Sequence, residues 1–187
     1  MKYVLASASP RRKELFSLIN EDFICHPADI EEIIPDNLPA RSAPEFLAVQ
    51  KAKAVSELYK SDLVIGCDTA VIVDDIILGK PKDILDAENM LKLLSGKEHF
   101  VITGCALIKD GVSMSFSQTT SVNFYPLSDE DIKKYLQTNE FADKAGGYAI
   151  QGKGGLLIRC IEGDYFNVVG LPVARLKREI DKFLKMI

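Results

Sequence analysis

The chain has 187 residues, 47% hydrophobic and 27% charged, with a formal net charge of −4. That length buries a real core in one domain, here expected over residues 1–187 with two lobes. The acidic balance argues against a general nucleic-acid binder, whose affinity rests on neutralising phosphates. No apolar run has membrane-spanning length and no signal-peptide pattern opens the chain, so a cytoplasmic protein is expected.

Tyr3, Val4 and Leu5 are strand formers. Ser9 is a good N-cap and Pro10 suits the first helical position, with Leu15, Phe16, Leu18 and Ile19 as the apolar stripe that follows. Arg11 and Arg12 then place two guanidinium forks at a helix N-terminus, where the dipole alone favours acids. Either a phosphate binds there or the turn is exposed and basic, even a Ser-Pro modification site. "DFICHP" reads as a short strand, and Pro27, Pro35, Pro39 and Pro44 mark a long loop. Ser42 and Glu45 have capping-box spacing, with a helix to about Tyr59. "LVIGCDT" is a buried strand ending in polar residues, and "AVIVDDIIL" a hairpin turning at Asp74-Asp75. Asp83 caps a helix that Gly96 ends, and Asp110-Gly111 joins two long strands. Ser128 caps another helix. Residues 147–170 read as three strands separated by turns, and a last helix begins near Leu171-Pro172 with Leu176, Ile180, Phe183 and Leu184 as its stripe. Eight or nine strands and five helices in mixed order predict an α/β or α+β domain with an elongated mixed sheet.

The four cysteines have no C-x-x-C spacing, and Cys67, Cys105 and Cys160 lie in apolar, strand-like context, so all are expected reduced. Only His26 and His99 are present, which disfavours a histidine metal site or a Ser-His-Asp triad. "SGKEH" is not a phosphate-binding P-loop, and "GKGG" lacks the third glycine of a dinucleotide fingerprint. What remains is scattered. Asp68 follows an apolar strand, a common position for catalysis or metal binding. Lys51 shares a helix with Lys53, and one of the two is expected to face solvent. Lys80, Glu31 and Glu32 are each explicable as solvated surface residues, and Gln151 stands at a strand end before glycines, where a turn explains the glycines but not the glutamine. Together they have one chemical meaning: cations for phosphates, carboxylates for a hard divalent ion such as Mg²⁺, and a glutamine for a base edge. With net negative charge, a local basic pocket suits a small nucleotide better than a polymer.

At "LASASPRRKEL", "DIEE", "QKAKAV", "VIGCDTAV", "LGKP", "LSG", "DKAGGYAIQGKG" and "IEGDYFNVVGLP" the chain resembles the Maf family of nucleoside triphosphate pyrophosphatases, also called septum formation inhibitor proteins. The resemblance runs nearly end to end. It implies a mixed sheet with flanking helices and a central cleft, similar to the inosine triphosphate pyrophosphatases. It implies hydrolysis of a nucleoside triphosphate to monophosphate and pyrophosphate with a divalent cation, Mg²⁺ or Mn²⁺. By the resemblance Asp68 is the catalytic base or mainly a metal ligand, Glu32 holds the metal or orients the water, and Ser7, Ser9, Arg11, Arg12, Lys51 and Lys80 bind phosphate. Arg11, Thr69 and Gln151 match positions that mark the subgroup acting on dTTP and UTP. Cys67 and Gly147 depart from it, standing where the family usually has alanine. A non-catalytic regulator of septum formation is the alternative, disfavoured because a binding module needs no positioned carboxylate. No nucleic-acid polymer or membrane partner is expected, and a homodimer is the oligomeric state to test.

Overall fold

The computed structural model describes residues 1–187 and begins with strand β1 (Tyr3–Ala6) and helix α1 (Pro10–Ser17). Ser9 caps α1 as its sequence position predicts, its hydroxyl accepting from the Arg12 amide at 3.4 Å. Strand β2 (Phe23–Cys25) and an irregular, proline-punctuated stretch lead to α2 (Ala43–Ser56). The expected capping box does not form. A 3-10 turn over Ala40–Ser42 runs straight into α2, so Ser42 is already helical and makes no side-chain cap. Glu45 instead accepts a hydrogen bond from the Ser115 hydroxyl at 2.7 Å.

Strand β3 (Leu63–Val73) passes without a break through Asp68, where the apolar run was expected to end. Next come β4 (Ile76–Leu78), α3 (Ile84–Leu94), β5 (Glu98–Lys109), β6 (Val112–Phe124) and α4 (Asp129–Leu136). The turns at Asp74-Asp75 and Asp110-Gly111 take the positive φ angles of a two-residue hairpin. Three strands were expected over residues 147–170, but only β7 (Ile158–Glu162) forms. It is preceded by a 3-10 turn over Gly152–Leu157 and followed by the short helix α5 (Tyr165–Val169). Asp164 explains the helix: its carboxylate accepts from the Phe166 amide at 2.8 Å, an N-cap that the strand-forming Tyr165, Phe166, Val168 and Val169 conceal. Helix α6 (Val173–Met186) closes the chain with Leu176, Ile180 and Phe183 buried.

The seven strands form one mixed sheet in the order β2-β1-β3-β5-β6-β7, with β4 paired to β3. β1 is parallel to both β2 and β3, whereas β3–β4 and β6–β7 are antiparallel. The β1 ladder on β3 ends at Gly66 and the β4 ladder begins at Val71. Cys67 to Ala70 therefore lie outside both ladders. No helix is long and apolar enough to cross a membrane.

The chain divides into two compact units. The first comprises residues 1–69, 103–118 and 170–187. Its core packs Val4, Ala6 and Val64 against Ala48, Ala52 and Val55 of α2. The second comprises residues 70–102 and 119–169. Its core gathers Leu91 and Leu94 of α3, Ile132 and Tyr135 of α4, and Phe124, Tyr148 and Leu157. All four cysteines are free thiols. Cys67 and Cys105 are buried as expected, but Cys160, on β7, is exposed.

Candidate active site

In the first unit, α2 lies directly on strand backbone. A Cβ at Gly66 would sit 2.1 Å from the Ala48 carbonyl oxygen, and one at Gly104 would sit 2.3 Å from the Glu45 amide. Only glycine permits that approach. The contact fixes the next turn of α2 against the residues just beyond Gly66. Lys51, three residues after Ala48, donates to Asp68, two residues after Gly66, at 2.6 Å. The same ammonium reaches Glu32 of the proline-rich stretch at 2.8 Å. Lys51 and Asp68 are nearly enclosed, with side chains 12% and 15% exposed, while Glu32 is 49% exposed. Lys53, by contrast, faces solvent.

Burial pushes the Asp68 carboxyl above the usual range. The Lys51 charge and hydrogen bond and the Arg12 guanidinium oppose this, and Glu32 adds to it. The result is a carboxylate more basic than an exposed aspartate, held by cations rather than left alone. Asp68 and Glu32 each bring a hard carboxylate oxygen within 2.8 Å of the Lys51 ammonium. Two protein carboxylates suit Mg²⁺, which commonly completes its shell with substrate phosphate and water. No group of three histidine, cysteine, aspartate or glutamate side chains forms a fuller cage. The donor chemistry thus fits a divalent cation shared with a substrate.

Arg12 forms a second focus. Its Nε donates to the Gly170 carbonyl, its Nη1 to the Cys67 carbonyl and its Nη2 to the Thr69 hydroxyl, each at 2.9 Å. Nη1 also lies 3.5 Å from the Ser7 hydroxyl, which accepts from the Ser9 amide at 3.2 Å. The Cys67 carbonyl is available because that residue lies outside the β1 and β4 ladders. An arginine at the wrong end of a helix is therefore stabilised by carbonyl oxygens of the protein itself. Arg11 is half-buried in the same first turn.

The first unit thus holds Ser7, Ser9, Arg11, Arg12, Glu32, Lys51, Asp68 and Thr69. Lys80 and Gln151 belong to the second, where both are exposed and Lys80 lies 3.8 Å from Asp143. Sequence reasoning missed Thr103, whose buried hydroxyl is 2.9 Å from that of Thr69. The signal was a threonine inside the apolar run "VITGCAL". It also missed the Gly170 and Cys67 carbonyls, which no side-chain pattern reveals.

The Maf-like protein family matches residues 2–183. The chain belongs to the Maf family. Among its relatives, a protein of Bacillus cytotoxicus is 48% identical over 182 residues, covering 97% of this chain and 95% of the relative. One of Clostridioides difficile is 46% identical over 188 residues, covering 100% and 97%. Both relatives carry the name dTTP/UTP pyrophosphatase. Among solved structures, the Staphylococcus aureus Ham1 protein matches with a TM-score of 0.51 at 18% identity, over 66% of this chain and 72% of that one. A Coxiella burnetii HAM1 protein matches with a TM-score of 0.55 at 11% identity over 100% of both chains. The Ham1 likeness shows a common fold, the mixed sheet with flanking helices that the Maf resemblance implied.

Proposed function

We propose that this chain hydrolyses dTTP and UTP to the nucleoside monophosphate and pyrophosphate. The observation that carries the chemistry is the Lys51-bridged pair of Asp68 and Glu32, a basic carboxylate beside cations. The names of its near full-length Maf relatives support the substrate class. Asp68 accepts a proton from the attacking water, whose oxygen bonds to the α-phosphorus as the bond to the bridging oxygen breaks. Burial raises the basicity of Asp68 toward what that proton transfer needs. Lys51 orients the carboxylate and offers its charge to phosphate oxygens. Ser7, Ser9, Arg11 and Arg12, at the start of α1, bind phosphate as well. Asp68 and Glu32 would hold a divalent cation, which when bound neutralises phosphate charge.

The test is pyrophosphate release from dTTP, UTP, CTP, dATP, GTP and 7-methyl-GTP with Mg²⁺ or Mn²⁺. Preference for dTTP and UTP supports the reaction and the selectivity together. Preference for 7-methyl-GTP keeps the reaction and overturns the selectivity. No release from any nucleotide with either metal overturns the enzyme reading in favour of a nucleotide-binding regulator.

A further inference from the structure

We infer that Thr103 is a positioning residue for substrate phosphate binding, acting through the Thr69 hydroxyl on Arg12. The inference rests on the pyrophosphatase reading and adds a residue to it. Thr103 is fully buried on β5, and its hydroxyl meets that of Thr69 at 2.9 Å. Thr69 Oγ1 is in turn the acceptor for Arg12 Nη2 at 2.9 Å and lies 3.4 Å from the Gly170 carbonyl. A hydroxyl has one proton and two lone pairs. Whichever threonine donates to the other, Thr69 keeps a lone pair for Arg12. Its remaining capacity is set by Thr103, because the Gly170 contact is long.

The consequence falls on Arg12. Three of its nitrogens are each fixed by a protein acceptor at 2.9 Å, and the second Nη2 N–H is left to point at a ligand. The direction of that N–H follows from the plane of the guanidinium. Two carbonyls hold Nε and Nη1, and Thr69 alone holds Nη2. Without Thr103, the Thr69 hydroxyl loses the partner that fixes its rotamer, and the Nη2 end of the fork loses its reference. Thr69 then influences substrate choice by aiming Arg12 rather than by touching the base.

The experiment compares Thr103→Val, Thr103→Ser, Thr69→Val and the Thr69→Val/Thr103→Val double variant. It reads kcat and KM for dTTP, the affinity for inorganic pyrophosphate by calorimetry, and the melting temperature. Thr103→Val keeps the shape and removes the hydroxyl. It is expected to raise KM and weaken pyrophosphate binding about tenfold, the size of a lost hydrogen bond to a charged network, with kcat nearly unchanged. Thr103→Ser is expected to restore both. The double variant is expected to match Thr69→Val, because the two hydroxyls act in series. Wild-type KM and pyrophosphate affinity in Thr103→Val overturn the inference, as does a Ser variant no better than Val, which would leave packing as the role. Additive losses in the double variant also overturn it. If the wild-type protein releases no pyrophosphate from any nucleotide, the enzyme reading falls, and the pyrophosphate titration across the same variants decides the Thr103 inference by itself.

Discussion

Asp68 in the first unit and His99 in the second are both buried titratable groups, and burial displaces them in opposite directions. Asp68 remains in the company of charge, with Lys51 at 2.6 Å and Glu32 at 2.8 Å from the same ammonium. His99 has only neutral company. Its Nε2 meets the Tyr148 hydroxyl at 2.8 Å, and its ring stands edge-on to Phe124 and Tyr148. Desolvation lowers the His99 pKa to about 4 and raises the Tyr148 phenol well above its usual value. Both therefore stay uncharged at neutral pH. The first unit maintains buried charge where chemistry is proposed, and the second removes it where packing is the purpose. Buried charge without partners costs stability, so its retention in one place is a sign of function.

The largest effect expected from this contrast is on activity. Asp68→Asn retains shape and removes the proton acceptor, and should lower kcat for dTTP by about 10²–10⁴-fold while the melting temperature holds. Near wild-type turnover would end the proposed role of Asp68. Next in size is Gly66→Ala. Its new methyl would lie 2.1 Å from the Ala48 carbonyl oxygen and 2.8 Å from the Ala52 Cβ. Displacing a helix from strand backbone should cost about 3 kcal/mol in urea unfolding, if the variant accumulates folded at all.

How far the sequence reaches can be read from these same residues. Ser9 and Pro10 act locally, so the start of α1 was legible. Asp68 and Lys51 could be singled out as chemical types and by the Maf resemblance, but not paired. Their meeting depends on α2 touching β3 through Gly66, a contact between distant segments. Ser42 and Glu45 had the right spacing for a capping box and failed because a preceding 3-10 turn already used the position. Residues 165–169 are mostly aromatic and β-branched strand formers, yet one aspartate hydrogen bond starts a helix. Short-range signals of equal strength were decided by neighbours that the sequence does not order. The three carbonyl and hydroxyl acceptors of Arg12 lie up to 158 positions away in the chain, beyond any local pattern.

The second unit sharpens the comparison through acid. His99 has a folded pKa of about 4 against an ordinary 6.5, so between those values the unfolded chain binds the proton more readily. Its contribution is fully present above pH 6.5 and is lost as pH falls toward 4, by about 3 kcal/mol. His99→Phe should flatten that part of the stability profile, measured by denaturant unfolding across the range. An unchanged acid slope would assign it to carboxylates instead. The smallest effect concerns Gly147, whose φ is +71° and where a Cβ would meet Ala87 only at 3.6 Å. Space is adequate there and backbone strain is the whole cost. Gly147→Ala should therefore lose about 1 kcal/mol, against the larger loss at Gly66, where space is the issue.

The glycine-mediated seat of α2 has a mechanical consequence. Backbone resting on backbone has no rotamers through which to give, so the helix cannot slide to accommodate a different residue at position 51. The reach from the helix axis to Asp68 is then a fixed length, matched by one lysine stem. An arginine there would carry the right charge on an arm of the wrong length and shape, and the scaffold has no slack to absorb the difference. Tolerance in this part of the molecule is set by stiffness: the framework holds still, and only the lysine's own torsions are left to follow the substrate.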